Sequence, residues 1–126
     1  MTLGARRTFL LSTPGTDKHH LWFGLSDPEG EPPRFVAVMI QSVKNHTENS
    51  LVLQRGDHGF IRHDSSVQFK TAGFFFVHVI DEWERRDECK ANVDMSSVLL
   101  QRVRTALLAS PFTSNAVLRY CQQLGW

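Results

Sequence analysis

The chain has 126 residues, 41% of them hydrophobic, with 14 Lys and Arg against 13 Asp and Glu for a formal charge of +1. That length suits one domain, 1–126, with one core, and the balanced charge excludes a global field drawing the protein onto nucleic acid or an anionic membrane; any nucleic-acid site must be a local patch. Two cysteines, Cys89 and Cys121, with no secretory segment ahead of them, argue against a disulfide framework and favour two reduced, partly buried thiols.

Arg6-Arg7 followed by Phe9-Leu10-Leu11 has the start of a twin-arginine signal, but the apolar run stops at Leu11, short of the roughly 7 to 15 residues an export signal needs. It reads as a strand. Pro14-Gly15 supplies a turn, and Leu21-Trp22-Phe23-Gly24-Leu25 a second strand. Segment 27–33 holds Pro28, Gly30, Pro32 and Pro33 and cannot join a ladder, so it is an exposed loop.

Residues 34–40 are nearly all apolar, as a strand buried on both faces must be. A solvated loop, 43–50, leads to a short strand at 51–53, a turn at 55–59, and strands at 65–69 and 74–80. Segment 82–87 mixes charges of both signs and reads as a solvated connection. Leu99, Val103, Ala106 and Leu107 recur at helical spacing, with Asp94 or Ser96 as cap and Pro111 as stop. A second helix is expected over 113–123, capped by Thr113 or Ser114, with Val117, Tyr120, Cys121 and Leu124 on one face.

Short strands joined by tight turns predict an α+β fold: a small antiparallel SH3-like β-barrel over about 5–82 with two C-terminal helices in a tail of about 94–124. The longest apolar run, 74–80, is far below the roughly 18 residues of a membrane span, so a cytoplasmic protein without membrane contact is expected.

Six histidines raise the question of a metal. Adjacent His19 and His20 point to opposite faces of a strand, and no HExxH or paired CxxC occurs, so no metal and no cofactor are expected. No Gly-x-Ser-x-Gly elbow frames Ser42, Ser65 or Ser66, and no GxxxxGK[ST] loop is present. A basic and imidazole-rich set does lie at strand ends: Lys18, His19, His20, Arg55, His58, Arg62, His63 and Lys70. Histidine can shuttle protons near neutral pH while Arg and Lys stabilise charge on phosphate, which suits an RNA phosphodiester and equally suits anion binding without catalysis. Trp22, Phe23, Phe60, Phe69 and the phenylalanines at 74–76 are core or stacking surfaces for bases.

Three segments carry a family resemblance. Pro14-Gly15-Thr16-Asp17-Lys18-His19-His20 leads into Leu21-Trp22-Phe23-Gly24-Leu25-Ser26; Ile40-Gln41-Ser42 ends the next strand; Asp64-Ser65-Ser66-Val67 follows. This order resembles the PemK/MazF (Kid-like) toxins. The resemblance implies a small barrel, a homodimer, an antitoxin protein as partner, and a metal-independent endoribonuclease acting on single-stranded RNA. It places His20 where the family has its catalytic arginine, Leu21 at its proline and Gln41 at its threonine. Ser42 then stands near the hydroxyl partner, with His58 or His63 for proton transfer and Lys18, His19, Arg55, Arg62 and Lys70 for RNA binding. The alternative is a non-catalytic barrel that docks a protein partner, an antitoxin or a phage-defence scaffold, through segment 74–76 or the last helix.

Overall fold

The computed structural model describes residues 1–13 and 15–126; the Pro14-Gly15 turn falls partly outside them, at Pro14. Six strands, β1 (Thr8–Ser12), β2 (His19–Gly24), β3 (Arg34–Ser42), β4 (Val52–Leu53), β5 (Ser65–Phe76) and β6 (Cys89–Asn92), form one antiparallel sheet in the order β4-β5-β3-β2-β1-β6. Among the described residues three helices accompany it: α1 (Val77–Arg85), α2 (Ser97–Ala109) and α3 (Asn115–Gln123). None is long and apolar enough to cross a membrane.

The uninterrupted apolar run of β3 has the predicted meaning. Val36, Val38 and Ile40 face one core with Leu21, Phe23, Val67 and Phe69, and this core is roofed by Leu99, Val103 and Leu107 of α2 and Val117 and Cys121 of α3. Phe35 and Ala37 face the other core, with Phe9, Ile80 and Cys89. Each large side chain fully withdrawn from water contributes about 1.5–3 kcal/mol, so a strand buried on both faces anchors the sheet. The two cysteines lie in different cores, and both are buried.

β5 merges two strands predicted separately. Its pairing with β3 jumps from Ala37↔Gly73 to Met39↔Gln68, so β5 carries extra residues in a bulge. Glu48 fixes this irregularity: its buried carboxylate accepts the amides of Phe69 (3.0 Å) and Lys70 (2.9 Å). Thr71 Oγ1 accepts from the Met39 amide at 3.0 Å and donates to the Gln68 carbonyl at 2.6 Å. Backbone groups freed by the bulge are thereby satisfied.

The segment after Phe76 corrects the sequence reading. Residues 77–80 are helical rather than extended, and 82–85 belong to the same helix rather than to a connection. Val77, Ile80 and Trp83 recur on one helical face and pack onto the second core, and that burial outweighs the β-propensity of Val77, Val79 and Ile80. β6 follows and pairs with β1 from Leu11↔Cys89 to Thr8↔Asn92. Two of the helices, α2 and α3, fall within the expected tail, with Ser96 and Ser114 accepting the amides of Leu99 and Val117 as N-caps. Trp126 packs against Arg104, whose guanidinium carbon lies 4.4 Å from a ring centroid and whose Nε and Nη2 both donate to the Leu25 carbonyl.

Candidate functional site: a cationic fork between two strands

β2 begins at His19 and β3 runs to Ser42, yet the pairing between them ends at Leu21↔Ile40. Below that pair each strand keeps its other neighbour: β2 stays on β1 down to Ser12↔His19, and β3 stays on β5 down to Ser42↔Ser65. The sheet therefore forks. An open cleft of about 730 Å³ occupies the fork, with Lys18, His19, His20 and Leu21 on one arm and Ile40, Gln41, Ser42 and Lys44 on the other. Residues 59–63, Ser65, Asn92 and Val93 complete the lining. Because a fork exposes both faces of the strand at its lip, the adjacent His19 and His20 both reach the cleft.

Each of the three cleft histidines, His19, His20 and His63, is held by a hydroxyl on its own arm. Ser12 Oγ lies 3.0 Å from His19 Nε2, Thr13 Oγ1 lies 2.9 Å from His20 Nδ1, and Ser42 Oγ lies 2.7 Å from His63 Nε2. His20 is half-buried, and desolvation, followed by the nearby charges of Lys18 and Lys44, lowers its pKa below the ordinary 6.5. It is therefore neutral at pH 7.

Among the described residues the lining includes Lys18, Lys44 and Arg62 and no Asp or Glu. None of the six ion pairs among the described residues involves these three cations. In a protein with a net charge of only +1, the cleft thus concentrates uncompensated positive charge and favours an anionic occupant.

Of the residues singled out from sequence, Lys18, His19, His20, Ser42, Arg62 and His63 come together here. Arg55 and Lys70 are exposed outside the lining. His58 is a strut beneath the cleft: it is buried, its Nδ1 accepts the Phe60 amide (3.1 Å), and its ring packs on Phe23. With Nδ1 an acceptor, the proton is on Nε2, which donates to the Val93 carbonyl at 2.6 Å. Both nitrogens are engaged, leaving none for proton transfer to a ligand.

Sequence reasoning missed Lys44, read as part of a solvated loop, and the orienting Ser12 and Thr13. Lys44 lies two residues beyond the end of β3, and only the divergence of β3 from β2 turns that position toward a site. Among the described residues no three His, Cys, Asp or Glu side chains are grouped as a metal site requires. A smaller cleft of about 470 Å³ beside Arg104 and Trp126 includes Asp27 and Glu29, and it gathers no comparable set of like charges.

No protein-family model, no curated protein and no solved structure matches this chain.

Proposed function

We propose that the fork is the active site of a toxin-like, metal-independent endoribonuclease that cleaves single-stranded RNA in the cytoplasm, within a toxin–antitoxin system. The resemblance to PemK/MazF toxins, with their SH3-like barrel, homodimer and antitoxin partner, belongs to the same reading. The observation that carries it is the convergence of Lys18, Lys44 and Arg62 with three imidazoles in a cleft whose lining has no carboxylate.

In the proposed reaction the phosphodiester lies between the arms, where the cations offset its charge and stabilise the phosphorane. Neutral His20, on the β1–β2 arm, takes the proton from the ribose 2′-hydroxyl. The 2′-oxygen attacks phosphorus, the O2′–P bond forms and the P–O5′ bond breaks. His63, oriented by Ser42 on the other arm, serves as the general acid that gives a proton to the departing 5′-oxygen. The products are a 2′,3′-cyclic phosphate and a 5′-hydroxyl. Base and acid on opposite arms suit a displacement in which attacking and leaving oxygens lie on opposite sides of phosphorus.

The test is incubation with mixed-sequence single-stranded RNA in chelator-containing buffer at several salt concentrations, followed by analysis of product ends. Cyclic phosphate ends are expected, with cleavage about 10²–10⁴-fold slower in His20→Ala and His63→Ala. Intact RNA under every condition refutes the nuclease. RNA that is bound but uncut identifies a non-catalytic binding module.

A further inference from the structure

Two of the exposed large hydrophobic side chains line this cationic cleft: Phe60 is 43% exposed and Val93 65%. Apolar surface there does nothing for a bare phosphate, whose recognition needs only charge and hydrogen-bond donors. It does favour a ligand that joins negative charge to a flat apolar face. The two side chains come from distant parts of the chain, and a single buried imidazole spaces them. His58 accepts the Phe60 amide on one nitrogen and donates to the Val93 carbonyl from the other. Val93 is pinned again at the same carbonyl by Thr8 Oγ1 (2.6 Å), and the Asn92 carboxamide oxygen accepts its amide at 2.8 Å.

We propose that Phe60 and Val93 form a nucleobase subsite, in which a base of the bound single strand stacks on the Phe60 ring with Val93 against its edge. The proposal rests on the RNA reading of the fork and adds base recognition to it. An aromatic ring stacks on any base, so the subsite supplies affinity and selects single-stranded over paired nucleic acid without reading sequence. His58 holds the two walls at a fixed separation.

The test measures binding of a fluorescein-labelled 2′-O-methyl oligouridine, which lacks the attacking hydroxyl, beside inorganic polyphosphate as a base-free polyanion. Phe60→Ala is expected to weaken oligouridine binding about tenfold or more and to leave polyphosphate binding unchanged, while Phe60→Trp retains both. Phe60 is exposed, so the variant keeps its fold, which circular dichroism checks. If Phe60→Ala weakens both ligands equally or neither, the subsite is refuted while the nuclease reading stands on RNA cleavage by the wild type. If the wild-type protein neither binds nor cleaves RNA, the functional reading fails and the subsite with it.

Discussion

Ser42 Oγ and His63 Nε2 lie 2.7 Å apart, tying the end of β3 to the segment that precedes β5. Both residues are exposed, so neither has a packing role that substitution would disturb. Ser42→Ala is expected to slow RNA cleavage about tenfold by freeing the His63 ring to rotate, and to change unfolding free energy by no more than about 0.5 kcal/mol. A Ser42→Thr variant, which keeps the hydroxyl, should recover most of the activity. Equal loss in Ala and Thr variants contradicts an orienting role.

His20 carries a pH signature. Its folded pKa lies below the ordinary 6.5, so as pH falls the unfolded chain binds this proton before the folded chain does. The His20 contribution to stability is therefore complete above pH 6.5 and declines as pH drops through 6.5 toward the folded value. Urea unfolding at pH 7.5 and 5.5 should show a smaller decline for His20→Gln than for wild type. The acidic limb of the kcat/KM profile should likewise lie below pH 6.5, and a limb above it rules out His20 as the base.

Three unpaired cations in the cleft set a salt dependence. If Lys18, Lys44 and Arg62 each neutralise one phosphate of a single strand, log K for oligonucleotide binding should fall against log salt with a slope of about −2. Lys44→Gln should make that slope shallower by about 0.7. An unchanged slope places Lys44 outside the contact.

The Glu48 clamp on β5 is a stability element remote from the chemistry. Removing the carboxylate leaves the Phe69 and Lys70 amides without their acceptors beside a buried strand. Glu48→Ala is expected to cost about 2–4 kcal/mol in urea unfolding, and Glu48→Gln, which keeps one acceptor oxygen, about half as much. A loss below about 0.5 kcal/mol for the alanine variant contradicts the clamp.

The thiols should be inert. Burial pushes Cys89 up to about 12 and Cys121 up to about 11, and the thiolate is the reactive form. Native protein should consume almost no Ellman's reagent at pH 8 over a period in which urea-unfolded protein consumes two equivalents. Rapid reaction of the native protein refutes their burial.

Legibility followed the signal available. β3 announced its double burial by an uninterrupted apolar run, and α2 and α3 announced their starts with Ser96 and Ser114. α1 was hidden because Val77, Val79 and Ile80 are β-formers following three phenylalanines, and only burial of Ile80 against Phe9 and Phe35 makes the helix the better solution. β6 left almost no trace, since Cys89 is its one buried residue and its place is set by backbone pairing with β1. The histidines, Ser42 and Arg62 were legible as chemistry but not as a site. Their meeting depends on where the β2–β3 pairing stops, and a sequence does not mark the end of a ladder whose strands continue on other partners.

That termination also gives the site a mechanical character. Among the described residues no strand pairing spans β2 and β3 beyond Leu21 and Ile40, and each arm is stiffened by its own ladder to β1 or β5. The two arms stand like the tines of a fork whose root is clamped in the apolar core, and the His58 bonds to the Phe60 amide and the Val93 carbonyl brace the cleft walls. Moving the root disturbs Leu21 and Ile40, both buried. The root of the cleft is thus set by the core, so a change at the pivot should alter the gap between the imidazoles without touching either one.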